Sequence, residues 1–390
     1  MKEPEPQISI VIIGGGPVGL FMAISLLKKG IQCRVIEKRE EPVSDSRSLG
    51  IHPVSLELFD KVGITDPFLE QGLKIKKGIA LTEDKEIGEI SFDLCPKPHN
   101  YILACPQFIT EKILQKKLRE LDENALITGA EFLQFHEYEK AIETTFTVNG
   151  KSKERITSSY LIGCDGKNSL VRQQASIHFS GKRYHDTYIM GDFDDTTNFA
   201  TNAAVFLPKD GLIECFPLPS GMRRWVVKTD SYISEPSRDK LAEIVQQRIG
   251  YDLFSVNNIM LSSFGVQHLV AERFTKGRVI LAGDAAHVVS PIGGQGMNLG
   301  WLDCWKLANI FEDSLKHTDS QEHIKICLKE YSNRQKKITK KAGRRAELNM
   351  ILGRKTSIPF LRNLIVKGML KTPLRTKAAK LFTMRGLEGT

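Results

Sequence analysis

The sequence is poor in cysteine and has no paired cysteine motif. Its seven cysteines lie scattered among 390 residues, with no CxxC pair and no cysteine–histidine cluster at zinc spacing. A disulfide framework or a zinc site needs such spacing. We therefore expect reduced thiols, no bound metal and a cytoplasmic location.

The sequence also lacks a secretory signal pattern and an unbroken membrane span. Residues 1–7 are polar and acidic, unlike a signal peptide. The apolar stretch at residues 8–27 is broken at residues 14–17 by three glycines and a proline. A buried strand, a turn and a helix explain this stretch better than a membrane span does. We find no internal repeat or low-complexity linker.

The composition is typical of a soluble globular enzyme. Hydrophobic residues make up 41% and charged residues 26% of the chain, which is long enough for a large core and more than one domain. The formal charge of +9 is uneven, because residues 336–390 hold fifteen Lys/Arg against two Glu, which leaves −4 for the rest. Charge alone permits nucleic-acid binding, but no nucleic-acid motif accompanies it, so we expect no nucleic-acid partner.

A nucleotide-binding loop is predicted near the N-terminus. A buried-strand pattern over residues 8–13 leads into the glycines of residues 14–19, a helical pattern follows, and a second strand ends at Glu37. In such a unit Gly14 makes the tight turn, Gly16 admits a pyrophosphate, and Gly19 lets helix and strand pack closely. Glu37 is placed to accept hydrogen bonds from the adenosine ribose. The loop alone does not separate FAD from NAD.

Two later motifs repeat the pattern of a strand that ends in an acid. The strand predicted at residues 160–164 ends at Asp165-Gly166, and a β-branched run from Arg278 ends at Gly283-Asp284. A glycine-rich turn then opens a helical pattern at about residue 294. A helix N-terminus carries unpaired N–H groups and a positive dipole end, which suits phosphate, carbonyl or anionic flavin.

With three such motifs in this order, the chain resembles the FAD-dependent aromatic hydroxylases, the class A flavoprotein monooxygenases with a p-hydroxybenzoate hydroxylase-like fold. The resemblance covers roughly residues 7–310. It implies an α/β fold, with a Rossmann-type FAD-binding domain, an inserted antiparallel-sheet substrate domain and a C-terminal helical segment. The predicted domains are FAD binding at 1–72, 98–172 and 275–345, substrate binding at 73–97 and 173–274, and a basic helical segment at 346–390.

The resemblance also assigns roles to residues. Asp284 is expected to bind the ribityl chain of FAD, Asp165 to serve both FAD and NAD(P)H, and Arg47 and Gln107 to contact FAD. Pro291 and Gly294 are expected beside the flavin ring, where backbone N–H groups would stabilise anionic flavin. For His287, inside the third motif, we favour a packing or hydrogen-bonding role over that of a general base. The predicted cofactor-binding residues are Gly14, Gly16, Pro17, Val18, Gly19, Glu37, Lys38, Arg47, Gln107, Asp165, Gly283, Asp284, Pro291, Gly294, Gly296, Met297 and Asn298.

The activity implied by the resemblance is hydroxylation of an aromatic or polycyclic small molecule. FAD is the expected cofactor, NAD(P)H and O2 are co-substrates, and a flavin C4a-hydroperoxide transfers the oxygen. NAD(P)H is expected to dock transiently, because only one complete dinucleotide loop is present. No acid or base can be assigned. The alternative is a flavin-dependent reductase of isoprenoid double bonds on a related fold.

The substrate side and the C-terminal segment leave alternatives open. Phe206, Phe216, Met222 and Trp225, on short alternating strands, are candidates for lining a substrate pocket, although half-buried sheet positions are usually core. Leu361, Leu364, Ile365 and Met369 form an apolar helical stripe in the basic segment. This segment either packs on the body as helices or makes a weak peripheral contact with anionic lipid, which would favour a lipophilic substrate. A monomer or a homodimer is expected.

Overall fold

The structure is a computed structural model that describes residues 4–42, 48–316 and 320–387. For residues 316 and 320 it describes the backbone alone. Elements are numbered in chain order. The first sheet contains β1 (Ile8–Ile13), β2 (Cys33–Ile36), β8 (Leu126–Ile127), β9 (Ala130–Glu137), β10 (Ile142–Val148), β11 (Ser152–Gly163), β17 (Thr275–Lys276) and β18 (Val279–Leu281). The second contains β5 (Lys77–Leu81), β6 (Glu86–Ser91), β12 (Phe179–Asp194), β13 (Ala203–Phe206), β14 (Ile213–Leu218), β15 (Met222–Thr229), β16 (Asn258–Ala271) and β19 (His287–Val288). A small third sheet contains β3 (Gly50–Ile51), β4 (Leu73–Ile75) and β7 (Ile102–Ala104).

The helices lie around and between these sheets. They are α1 (Pro17–Leu27), α2 (Pro53–Val62), α3 (Thr65–Gln71), α4 (Gln107–Leu121), α5 (Leu170–Gln174), α6 (Arg238–Ile249), α7 (Gln295–Lys316), α8 (Ser320–Gly353), α9 (Pro359–Lys371) and α10 (Leu374–Phe382). The mixture of a parallel and an antiparallel sheet with these helices confirms the predicted α/β class. No helix within the described ranges is both long and apolar enough to cross a membrane.

The centre of the first sheet is parallel, in the order β18-β11-β1-β2-β8. β1 at its centre is a continuous apolar run, typical of a parallel strand covered on both faces, and Val11 and Ile12 are fully buried. Pro17 occupies the first turn of α1, where its missing N–H costs nothing. The stretch at residues 8–27 is thus a strand, a turn and a helix, as predicted.

The register of this sheet brings the three sequence motifs together. Ile13 at the end of β1 pairs with Gly163 at the end of β11, and Gly163 pairs with Leu281 at the end of β18. Parallel strands end at the same edge of a sheet, and ligands bind there. Motifs far apart in the chain therefore meet beside one another.

The second sheet is antiparallel except where β5 runs parallel to β13. One of its faces packs against α6, through Leu241 and Val245. The opposite face is turned towards α9 and the third sheet, and residues such as Met190 and Val226 lie there.

The basic C-terminal segment is helical, and α9 and α10 pack against β6 of the second sheet. The preceding α8 continues without a break across the boundary that the sequence predicted between residues 345 and 346. The start of the basic segment is therefore part of a helix that also contacts α7.

Candidate functional site

A cavity of about 940 Å³ joins the three motifs to the second sheet. Ligand pockets reach about 1,000 Å³ at the large end, so this cavity has room for a dinucleotide with a small molecule beside it. One end is formed by the loop after β1, and the other by apolar residues of the second sheet and of α8, α9 and α10.

The loop after β1 has the geometry of a phosphate-binding turn. Gly14 has a φ of +104°, and a Cβ there would come within 2.4 Å of the Cys164 carbonyl oxygen. A Cβ on Gly19 would approach the Gly14 carbonyl oxygen to 1.9 Å, so only glycine allows α1 to pack this closely on β1. Gly16 differs, because a Cβ there would meet nothing within 4 Å. Its backbone faces the cavity and leaves space for a ligand.

Glu37 lies beside this loop and lines the cavity while only 5% exposed. Its carboxylate accepts a hydrogen bond from the Gly15 N–H at 2.5 Å and two from Arg39, at the backbone N–H and Nε. A carboxylate has about four acceptor positions. Glu37 therefore holds the loop and keeps capacity for one further donor, such as a ribose hydroxyl.

Asp165 and Asp284 bring two further carboxyl groups to the same wall. Asp165 Oδ2 accepts a hydrogen bond from the Val171 N–H at 3.1 Å, whereas its buried Oδ1 has no partner in the described parts of the chain. Asp284 exposes its carboxyl group where it lines the cavity. Desolvation by the surrounding cavity walls raises the pKa of both carboxyl groups above the ordinary Asp value. Both groups would gain from a ligand that donates hydroxyl hydrogen bonds.

The turn before α7 lines the cavity, and the first N–H groups of a helix have no partner within that helix. Gly293 and Gly294 have φ values of +89° and +64°, so the chain reverses there and α7 begins at Gln295. Asn298 holds this turn: its Oδ1 accepts from the His52 N–H and Ser55 hydroxyl, and its Nδ2 donates to the carbonyl oxygens of Gly50 and Gly294. The helix N-terminus is thereby fixed at the wall of the cavity.

His287 is a structural residue of this region. It is fully buried, and its Nε2 lies 2.7 Å from Asp303, whose other oxygen accepts from Gln335. Burial opposes its protonation, but the Asp303 carboxylate outweighs burial and raises the pKa of His287 above its ordinary value. The ring is absent from the cavity wall, as expected for a hydrogen-bonding role.

Most of the predicted cofactor residues lie at the cavity wall. These are Gly14, Gly16, Pro17, Val18, Glu37, Lys38, Gln107, Asp165, Asp284, Pro291, Gly294, Gly296 and Met297. Gly19, Gly283 and Asn298 lie behind that wall, where they position the loops. Arg47 lies outside the described residues.

The structure separates the four predicted substrate residues. Phe216 lines the cavity, but Phe206 and Trp225 pack on the opposite face of the sheet, in the core formed with α6. The reason is the alternation of side chains along a strand: Val205 and Val226 face the cavity, so their neighbours Phe206 and Trp225 face away. Met222, at the start of β15, does not reach the cavity wall.

Sequence reasoning missed several residues that do line the cavity. His52 lies opposite Gly293 and Gly294, and burial lowers its pKa to about 4, so its ring is neutral at pH 7. Glu214 and Arg224 are the charged residues of the sheet face, and Val366 and Leu370 enter from α9. The alternation that places Phe216 in the cavity also predicts Glu214, two residues earlier. Nothing local predicts the contribution of α9.

The residues present fit FAD. The open backbone at Gly16 and the donors at the start of α7 suit pyrophosphate and a flavin carbonyl group, and the unpaired Asp165 Oδ1 suits a hydroxyl. Glu37 stands at the ribose position of a dinucleotide fold.

Comparison with known proteins gives the same result. A family model described as an FAD binding domain matches residues 7–346. An uncharacterized aromatic compound monooxygenase of Bacillus subtilis is 35% identical over 314 residues, which are 78% of this chain and 62% of that protein. Rifampicin monooxygenase of Streptomyces venezuelae is 32% identical over 315 residues, 77% of this chain and 64% of that protein. The chain spans about three fifths of the length of these relatives.

Solved structures support the fold. p-Nitrophenol 4-monooxygenase from Pseudomonas putida superposes with a TM-score of 0.87 at 21% identity, over 98% of both chains. The OxyS anhydrotetracycline hydroxylase from Streptomyces rimosus gives a TM-score of 0.78 at 26% identity, over 97% of this chain and 76% of that one.

Proposed function

Since the chain belongs to the FAD-dependent aromatic hydroxylase family, we propose that it inserts one oxygen atom from O2 into an aromatic or polycyclic small molecule. The observation that carries this proposal is the single cavity that runs from the nucleotide loop at Gly14 to the apolar chamber around Phe216. A cofactor held at one end would present its reactive ring to a substrate at the other. Such proximity is what a group-transfer enzyme requires.

FAD, when bound, supplies electron transfer and oxygen activation. The residues of this chain would bind and orient it: Glu37 the ribose, Gly16 the pyrophosphate, and Asp165 and Asp284 hydroxyl groups. The N–H groups at the start of α7 would favour negative charge on the ring. Pro291 and the apolar second sheet exclude water from the reacting atoms.

NAD(P)H is the proposed electron donor, docking transiently rather than in a domain of its own. The 14–19 loop is occupied by FAD in this proposal, and Asp165 is the residue we propose for contact with both nucleotides. The route through oxygen addition at the flavin stays a prediction.

The test is NAD(P)H oxidation by the FAD-loaded protein with phenols, quinolones and tetracyclines, with product masses measured in parallel. We expect faster oxidation and a product heavier by one oxygen atom with at least one compound class. A product that gains two hydrogens would support the alternative, a reductase of isoprenoid double bonds. Hydrogen peroxide as the sole product with every class would contradict both.

A weak contact between α9 and anionic lipid is also proposed, in support of a lipophilic substrate. Three residues of the predicted apolar stripe face outwards, Leu361, Leu364 and Ile365, each about half exposed, whereas the fourth, Met369, lines the cavity. Phe360, just before the stripe, is 76% exposed, and exposed Lys367 and Lys371 lie nearby. The inner face of α9, through Val366 and Leu370, borders the cavity. The helix thus packs on the body and still offers an apolar, basic surface above the substrate chamber.

Sedimentation with vesicles tests this contact. The protein should bind vesicles that contain phosphatidylserine and not vesicles of phosphatidylcholine alone, and salt should weaken the binding. The double substitution Phe360→Asp and Leu364→Asp should abolish binding. Ile259→Asp, at a 66% exposed position on β16, is the control and should not. Binding that persists in the double variant would contradict the proposal.

A further inference from the structure

A buried carboxyl group stands in the apolar part of the cavity. Glu214 is 9% exposed, is the second residue of β14 and lines the cavity. Among the residues that the structure describes, none forms a hydrogen bond or an ion pair with it. A buried carboxyl group without a partner costs stability, so its presence requires a reason.

The register of the second sheet shows how apolar its surroundings are. Glu214 pairs with Val226 on one side and Val205 on the other, and the row continues to Met190 and Ala80. All of these residues line the cavity. Glu214 is thus the single polar side chain in a row of five that faces the space for a substrate.

The nearby cations are already engaged by other groups. Arg224 forms a bidentate pair with Asp192, at 2.7 and 2.8 Å. Asp186 binds both Lys228 and Arg354, and Arg362 of α9 donates to the backbone carbonyl oxygens of Leu207 and Pro208. Glu214 is therefore not the partner of a neighbouring cation.

The remaining titratable neighbours do not donate a hydrogen bond to Glu214 either. The buried Tyr188 hydroxyl has no partner in the described chain, and burial followed by the Glu214 charge raises the pKa of Tyr188. The His52 ring hydrogen-bonds the Gly293 carbonyl oxygen beside the start of α7. Burial alone raises the pKa of Glu214 to about 7, which is the range in which a carboxylate is an effective general base at neutral pH.

We infer that Glu214 accepts the proton of an acidic hydroxyl group on the substrate, which makes hydroxyarenes the substrate class of this cavity. In this step the substrate O–H bond breaks, the proton passes to a carboxylate oxygen of Glu214, and the electron pair stays on the substrate oxygen. The charge on that oxygen raises electron density at the ring carbons that receive the inserted oxygen. The inference rests on the proposed function, because oxygen insertion is the reaction that profits from this density.

Binding of matched probes tests the inference without turnover. The probes are 2-naphthol and 4-phenylphenol, each against its methyl ether, measured by calorimetry with FAD-loaded wild type and the Glu214→Gln variant. At about pH 8, where Glu214 is ionised, the wild type should prefer the hydroxyl compound by about tenfold or more, as expected for a hydrogen bond to a charged group. The preference should decrease at about pH 6 and be lost in the variant.

A control and a rate measurement complete the test. Glu86→Gln, at an exposed position on β6 of the same sheet, should keep the wild-type preference. With a substrate found in the product screen, Glu214→Gln should lower kcat by about a hundredfold and remove the pH dependence near pH 7. Absence of a preference in both probe pairs, or its persistence in Glu214→Gln, would overturn the inference. Failure of oxygen insertion with intact probe preference would overturn only the proposed function.

Discussion

The unpartnered Glu214 carboxyl group should make the protein less stable as the pH rises. Its pKa is about 7 in the folded protein against an ordinary value of 4.5. Below about pH 4.5 the group is protonated in both the folded and the unfolded chain, so it has no effect. As the pH rises towards 7 the unfolded chain loses this proton first, which favours unfolding. Stability present at low pH is thus lost by about pH 7 and stays lost above it.

The size of this loss follows from the pKa difference. At 1.36 kcal/mol per pKa unit, Glu214 should cost roughly 3 kcal/mol of unfolding free energy above its folded pKa. An average unfolding entropy for a chain of 390 residues converts this into a shift of about 4 °C in the melting temperature. Glu214→Gln removes the titrating group and leaves a side chain of similar size.

The assay compares melting temperatures of wild type and Glu214→Gln across pH. The difference, variant minus wild type, should increase by about 4 °C between about pH 4.5 and about pH 8. Any constant cost of burying the amide cancels in this comparison. Glu86→Gln, on the exposed side of β6, should show no such trend. A pH-independent difference for Glu214→Gln would refute the reasoning, because the carboxyl group would then have a partner in the folded protein.

Three further substitutions test the site. A Cβ at Gly16 would meet no protein atom within 4 Å, and Gly16 lies at the cavity wall, so Gly16→Val should fold with wild-type circular dichroism but bind FAD about tenfold or more weakly. Unchanged FAD affinity would contradict the assigned role. Phe216→Ala should weaken substrate binding. Trp225→Ala, on the neighbouring strand and the opposite face, should instead lower the free energy of urea unfolding by about 3–5 kcal/mol. The reverse pattern would contradict the assignment of these two side chains to opposite faces of the sheet. Asn298→Ala removes four hydrogen bonds of its side chain and should lower stability by about 2 kcal/mol or more and weaken flavin binding; Asn309→Ala, on a later turn of α7, is the control.

The nucleotide half of the site could be predicted because its signals are local. Each motif directly follows an apolar strand, and parallel pairing alone brings Gly14, Asp165 and Asp284 to one edge of the sheet. Roles at the level of single residues were less predictable. Asn298, placed in a flavin motif, hydrogen-bonds the chain around His52, which is 246 residues away in sequence.

The substrate half depended on long-range packing. Helices α6 and α9 together decide which face of β13 and β15 is turned to the cavity. The large aromatic residues Phe206 and Trp225 therefore could not be placed from their own strands. The helical period of α9 was predicted, but its buried side is formed by Arg362, Val366 and Leu370. Of the predicted stripe, Met369 lines the cavity and the other three residues face outwards. Arg362 is buried because two backbone carbonyl oxygens accept its hydrogen bonds, which no local pattern reveals.

We propose that the cavity holds FAD beside an aromatic substrate and that one atom of O2 enters that substrate. The most direct test supplies isotopically labelled dioxygen to the FAD-loaded protein with NAD(P)H and the compound that most accelerates NAD(P)H oxidation. We predict a product that carries one labelled oxygen atom, and a Gly16→Val variant that forms none. Oxygen in the product that comes from water, or a reduced product without new oxygen, would contradict it.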